Sequence, residues 1–171
     1  MNRLRNVLLI ILALLIQSTM YGRMDFFGIR PDLGMLALIF VASGSGTAEC
    51  ILYGFLAGFL QDVYTPEYLG YNSFAMSLMG FFLGILRETL TVEKYGVKIL
   101  VTFLACLMHD IIYLSFYTAL DASLFWGLFI KGSIAGALYT SVLAVLFISA
   151  YEWITGGGLR VVIRELIGIR K

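Results

Sequence analysis

The sequence predicts an all-α polytopic membrane protein, built as a bundle of six transmembrane helices. Of its 171 residues, 60% are hydrophobic and 13% are charged, and the mean hydropathy is +0.92. A soluble domain carries about twice that share of charged residues. Apolar runs separated by turn residues and short charged loops recur along the chain, which is the pattern of repeated membrane crossing.

Six apolar segments carry this prediction. The first follows Arg3 and Arg5 and resembles a signal peptide, but no small-residue cleavage site follows it, so we expect a retained helix. The second opens at Pro31, a favoured first helical residue, and is short for a span of about 20 residues. The predicted segments cover residues 5–21, 31–43, 48–64, 71–87, 97–119 and 123–153.

The distribution of positive charges predicts the topology, because cytoplasmic loops are enriched in Lys and Arg. With the N terminus in the cytoplasm, only Arg23, Arg30 and Lys131 fall on the outer side. An even number of helices then places both termini in the cytoplasm of a bacterial inner membrane. The cytoplasmic positive charges are Arg3, Arg5, Arg87, Lys94, Lys98, Arg160, Arg164, Arg170 and Lys171.

The chain divides into a six-helix transmembrane domain over residues 1–155 and a cytoplasmic basic tail over 156–171. Three consecutive glycines break the chain at the start of the tail. The tail then alternates apolar residues with arginines at a spacing that predicts an amphipathic helix lying on membrane lipid. A frayed basic tail is the alternative.

Several classes of function have no support in the sequence. The net charge of +1 gives no reason to expect a nucleic acid partner. No nucleophile motif and no phosphate-binding loop is present, so we expect no enzymatic activity. The single histidine disfavours a metal site, and we expect no cofactor. Cys50 and Cys106 lie in or beside apolar runs and are expected to be packing residues.

Three pairs of glycines, each four residues apart, place small residues on one face of a predicted helix. Small residues at this spacing let two transmembrane helices approach closely. Such a pair either packs two helices of the same bundle or receives a helix from another protein, and the sequence does not distinguish the two roles. The pairs are Gly54 and Gly58, Gly80 and Gly84, and Gly132 and Gly136.

His109, Asp110 and Asp62 are ionisable side chains inside predicted helices, where such groups are costly unless they face protein or water. His109 and Asp110 lie midway along the fifth segment, and we favour hydrogen bonds to neighbouring helices over a proton relay through His109. Asp62 lies near the outer end of the third segment, and three roles are open for it. It lines an outward pocket, it is simply exposed to water, or it stabilises the junction between the helix and the following loop. We favour the last role, and we expect Asp110 to be the more buried carboxylate.

Polar and turn-forming residues mark the ends of two helices. Pro31 and Asp32 are typical of a helix start, with the carboxylate favourable in the first turn. A role in contacting a partner is the alternative for this pair. Gly70 and Asn72 predict a turn before the fourth helix.

The order and spacing of these residues resemble the MreD family of rod shape-determining proteins. The resemblance rests on Arg30-Pro31-Asp32-Leu33, which opens a short second helix, and on the run from Gly54 to Asp62 with glycine at every fourth residue and a final aspartate. Leu69-Gly70-Tyr71-Asn72 follows at the expected distance. The similarity covers most of residues 1–155.

The resemblance implies a non-enzymatic inner-membrane protein of the bacterial cell-elongation machinery. Its expected partners are the transmembrane helix of MreC and a complex that includes RodA, a penicillin-binding transpeptidase and MreB. The family's fold is similar to that of the S components of energy-coupling-factor transporters. The positions that match the family motif are expected to shape the bundle, and they are Pro31, Asp32, Gly54, Gly58, Asp62, Gly70 and Asn72.

Two other functions remain open at this point. The first is a substrate-binding membrane subunit of a small-molecule, vitamin-type transporter, which the expected fold and an outward cluster of Asp62, Tyr64, Tyr68 and Asn72 suggest. The second is a proton-coupled carrier that uses His109 and Asp110 together with Asp62. Retention of a small ligand after purification would distinguish the transporter subunit from a scaffold.

Overall fold

The computed structural model describes residues 3–19, 29, 31–87, 95–119 and 121–154. These residues form six helices and no β-strand, which confirms the all-α, six-helix prediction. The first four are α1 (Arg3–Thr19), α2 (Leu33–Ala42), α3 (Thr47–Asp62) and α4 (Tyr71–Ile85), with a 3₁₀ turn at Pro66–Tyr68 between α3 and α4. Helix α5 covers Tyr95–Tyr117, and α6 has three consecutive parts: α-helical Ala122–Leu128, π-helical Phe129–Ser133 and α-helical Ile134–Ile154.

Within the part of the chain that the structure describes, two stretches are long and apolar enough to cross a membrane. They are Ile99–Tyr117 in α5 and Ala122–Phe147 in α6. Helices α2 and α4 are apolar but shorter, at 10 and 15 residues. The outward faces carry large apolar side chains, such as Leu52 on α3 and Val142 on α6, which are 67% and 60% exposed.

Helix α2 is the centre of the bundle. Its side chains are buried on nearly all sides, including Met35, Leu38 and Val41, and it contacts the five other helices. A helix that is apolar all round is stable only when surrounded. This placement explains how a segment of ten residues forms a helix without spanning a bilayer on its own.

Helices α3 and α4 form the closest helix pair, and glycines make this approach possible. A Cβ atom added at any of four glycines would collide with the main chain of the facing helix. Both predicted glycine pairs on these helices are therefore used inside the bundle. The contacts are Gly54 with Met76, Gly58 with Asn72, Gly80 with Cys50, and Gly84 with Thr47.

Several predictions concern residues outside the described ranges. The basic tail over 156–171, Arg23 and Arg30 of the first outer loop, and Lys94 belong to this group. The division of the chain at residue 155 therefore stays a prediction.

Candidate functional site

The start of α2 is held by a cluster of polar side chains inside the bundle. Asp32 caps the helix, because its Oδ1 atom accepts a hydrogen bond from the Met35 N–H at 2.9 Å. The same oxygen accepts a hydrogen bond from Gln61 Nε2 of α3 at 3.2 Å. The Asp32 N–H donates to the Thr140 hydroxyl of α6 at 3.0 Å. One residue thus joins α2, α3 and α6.

This cap corrects the predicted start of α2. The sequence suggested that Pro31 is the first helical residue and that Asp32 lies in the first turn. In the structure Asp32 is the N-cap, with extended φ and ψ of −92° and 93°, and the helix begins at Leu33. The physical reason is the Asp32 carboxylate, which captures a main-chain N–H that has no partner within the helix. Pro31 precedes the cap and is buried.

A glutamine from α1 completes the cluster. The Gln17 side-chain oxygen accepts hydrogen bonds from the N–H groups of Leu33 and Gly34, at 2.9 and 3.2 Å. Buried N–H groups without a partner cost free energy, so this acceptor lets the helix begin within the bundle. Sequence reasoning missed Gln17, and the only signal was a polar residue near the end of an apolar run.

Asp62 ends α3 and holds the beginning of α4. Its two carboxylate oxygens accept hydrogen bonds from the N–H groups of Gly70 at 2.9 Å, Asn72 at 3.1 Å and Ser73 at 2.9 Å. The Ser73 hydroxyl adds a bond of 2.6 Å. Gly70 has a φ of +104°, a conformation that glycine adopts without strain. Asp62 therefore organises the junction between α3 and α4.

The burial of the two aspartates is the reverse of the expectation. Asp62 is completely buried, whereas the Asp110 side chain is 31% exposed. The expectation that Asp110 is the more buried carboxylate was wrong. Distance from a helix end did not determine burial, because the loop after α3 folds back over Asp62 and the face of α5 that carries Asp110 lines a cavity.

His109 and Asp110 are in contact with each other on α5, so the prediction that they hydrogen-bond to neighbouring helices was wrong for the residues that the structure describes. The His109 Nδ1 atom lies 3.1 Å from Asp110 Oδ1, and the imidazole stacks on the Tyr113 ring at a centroid distance of 6.2 Å. His109 is buried, and among the described residues its Nε2 atom has no hydrogen-bond partner.

A cavity of about 580 Å³ lies beside this cluster, between α5 and α6. Asp32 and Asp110 both line it, together with aromatic, hydroxyl-bearing and small side chains. Of the outward cluster suggested by the sequence, Tyr68 lines the cavity, and Asp62, Tyr64 and Asn72 do not. The other lining residues are Thr65, Cys106, Tyr113, Leu114, Tyr117, Leu128, Gly132, Ser133, Gly136, Ala137 and Thr140.

Comparison with known proteins bears on the whole bundle. A family model described as rod shape-determining protein MreD matches residues 2–154. The chain belongs to the MreD family. The match extends from the first helix to the end of α6 and so includes every residue described above. No curated protein and no solved structure gave a match.

Because the chain belongs to the MreD family, it has a role in determining rod shape. The family consists of membrane proteins with a structural role, and it is not a known enzyme family. Its motif residues lie in two places. Pro31 and Asp32 lie at the start of α2, whereas the positions from Gly54 to Asn72 all belong to the α3–α4 pair.

The third glycine pair differs from the other two. A Cβ atom added at Gly132 would meet nothing within 4 Å, and both Gly132 and Gly136 line the cavity. Gly132 lies in the π-helical part of α6. Both cysteines are buried and free. Within the described ranges, no group of three His, Cys, Asp or Glu residues is placed to hold a metal ion.

Proposed function

We propose that this MreD-family protein is a non-catalytic, multi-pass scaffold of the bacterial inner membrane, and that it binds the transmembrane helix of MreC. In this role it helps to organise sidewall peptidoglycan synthesis. The observation that carries the proposal is the family match over residues 2–154. The polar clusters support a scaffold, because Asp32 and Asp62 are occupied in joining helices.

The proposal includes a place for the MreC helix on the surface of α6. Close approach of transmembrane helices needs small residues at the contact. The space beside the glycines of α3 and α4 is occupied by the main chain of the facing helix, whereas the space beside Gly132 is open. Leu128, one turn before Gly132, is 38% exposed and lies on the same edge of the cavity. We therefore place the contact along Leu128, Gly132 and Gly136.

The wider setting follows from the same proposal. Both termini lie in the cytoplasm, and the complex includes RodA, a penicillin-binding transpeptidase and MreB. We also propose that the six-helix bundle is similar to the S components of energy-coupling-factor transporters, as the resemblance to the family implies. The exposed apolar faces contact lipid wherever no partner covers them.

Site-specific photocrosslinking in membranes tests the proposal. A photoreactive residue is placed at Leu128, and two controls carry it at Leu138, on the outward side of α6, and at Leu52 on α3; these residues are 54% and 67% exposed. With MreC co-expressed, we expect a crosslinked product from Leu128 and little or none from the controls. Equal crosslinking from all three positions would contradict the docking face.

Co-purification tests the partner itself. We expect MreC to remain bound to this chain in mild detergent when both are present at native levels. If MreC is absent from the purified material and a small molecule is retained instead, the scaffold proposal fails and the transporter subunit becomes the better explanation.

A further inference from the structure

The cavity between α5 and α6 has the size of a small-molecule site. Its volume of about 580 Å³ lies inside the range of about 300–1,000 Å³ that is typical of ligand pockets. Its wall combines apolar surface from Leu114, Leu128 and Ala137 with a few polar groups. This mixture is the usual composition of a site that binds an organic molecule.

The charged groups of the cavity wall are all negative. Asp32 and Asp110 line it, and no Lys or Arg is among the lining residues that the structure describes. His109, which contacts Asp110, can balance at most one of the two carboxylates. Two carboxylates that face one cavity in a medium of low dielectric repel each other, and a positive charge between them lowers the free energy.

Three tyrosines form an aromatic wall on the same cavity. The ring of Tyr117 lies 4.8 Å from that of Tyr68 and 5.9 Å from that of Tyr113, measured between centroids. All three residues line the cavity. The faces of tyrosine rings attract cations, and such aromatic walls recognise ammonium groups in many binding sites.

One residue in contact with this wall, His109, carries a buried polar atom without a described partner. The His109 side chain is 7% exposed, and its Nε2 atom has no hydrogen-bond partner among the described residues. The imidazole stacks on Tyr113, which is one of the cavity tyrosines. His109 does not itself line the cavity, but it contacts Asp110 and Tyr113, which do.

We infer that the cavity between α5 and α6 binds a small organic cation, an amine with an apolar body, between the carboxylates of Asp32 and Asp110 and the rings of Tyr68, Tyr113 and Tyr117. The amine provides the positive charge and the hydrogen-bond donors that the wall lacks, and its apolar part packs against the leucines. The MreC contact proposed above shares Leu128, Gly132 and Gly136 with the wall of this cavity. The two proposals are nevertheless tested separately, because amine binding is measured on the purified chain without MreC.

Isothermal titration calorimetry on the full chain in detergent tests the inference with three probes of one shape. Tryptamine carries an ammonium group, tryptophol a neutral hydroxyl, and indole-3-acetate a carboxylate. We expect tryptamine to bind at least tenfold more tightly than tryptophol, and we expect indole-3-acetate not to bind. Equal affinity for tryptamine and tryptophol, or no heat of binding with tryptamine, would overturn the inference.

Two variants with matched controls locate the site. Asp110→Asn removes one cavity carboxylate, and Glu67→Gln removes an exposed carboxylate of the 3₁₀ turn that does not line the cavity. Gly132→Leu puts bulk into the cavity, and Gly96→Leu adds the same side chain at a glycine that also has open space but lies outside the wall.

We expect Asp110→Asn and Gly132→Leu to weaken tryptamine binding at least tenfold, and the two controls to bind as the native chain does. If Asp110→Asn does not fold, the tryptamine affinity of Gly132→Leu alone tests whether the amine binds in this cavity. Native affinity in the cavity variants would overturn the inference. Crosslinking of MreC to Asp110→Asn at the native level would show that this variant loses amine binding without losing the fold that the proposed MreC contact needs.

Discussion

Replacement of Asp62 by alanine is expected to destabilise the bundle far more than the same change at Asp110. Asp62→Ala removes the acceptor for three main-chain N–H groups and the Ser73 hydroxyl, all at a completely buried position. Hydrogen bonds to a charged group contribute about 1.5–3 kcal/mol each, and they are not additive, so we expect a loss of about 3–5 kcal/mol. Asp110→Ala removes one contact with His109 at a side chain that is 31% exposed.

Thermal unfolding in detergent, followed by circular dichroism, measures the difference. A chain of this size loses roughly 2–4 °C in melting temperature for each kcal/mol, so Asp62→Ala should lower it by roughly 6–20 °C. Asp110→Ala should lower it by a few degrees at most. Ser73→Ala removes only the hydroxyl bond of 2.6 Å, and an intermediate shift is expected. A larger shift for Asp110→Ala than for Asp62→Ala would refute this account of the α3–α4 junction.

Three further predictions concern packing, the polar cluster and pH. Gly58→Ala should lower the melting temperature clearly, because the added Cβ would collide with the Asn72 main chain. Gly132→Ala should leave the melting temperature nearly unchanged, because a Cβ there has open space. Equal shifts in the two variants would contradict the assigned packing. Gln17→Ala should cost about 1–3 kcal/mol, since two N–H groups at the start of α2 lose their acceptor, and a melting temperature like that of the native chain would count against this contact. Hydrogen bonds from the Ser123 hydroxyl and from the N–H groups of Leu124 and Ser123 lower the pKa of Asp121. The Asp121 carboxylate therefore stabilises the folded chain at pH values above about 3.9, the pKa of an aspartate in an unfolded chain. This stabilisation is lost as the pH falls through the lower pKa that Asp121 has in the folded chain. The melting temperature of Asp121→Asn should accordingly approach that of the native chain as the pH falls below both pKa values. The measurement covers pH 2–6, about two units either side of the reference pKa, and a constant difference between the two chains over this interval would contradict the cap.

Much of the fold could be predicted because it depends on local patterns. Long apolar runs and turn residues located six helices within a few residues of their observed ends. The spacing of Gly54 and Gly58 correctly indicated a close helix contact, since only small residues permit it. The partner of that contact was not predictable, because the sequence gives no information on which face meets which helix.

The polar contacts of the site were harder to predict because they join distant parts of the chain. Gln17, Gln61 and Thr140 come from three helices, and none has a distinctive local motif. The relative burial of Asp62 and Asp110 was predicted wrongly from their positions along the helices. Burial depended on a loop that folds back and on a cavity, which are properties of the assembled bundle.

The hydrogen bond between Asp32 and Thr140 has a consequence for biosynthesis. These residues are 108 positions apart, so Thr140 leaves the ribosome long after α2 has been made. Until α6 arrives, the start of α2 lacks one of its partners, and an unpaired main-chain group in the bilayer costs several kcal/mol. The start of α2 therefore gains all of its described partners only once α6 is in place, and a chain that ends before α6 lacks this hydrogen bond.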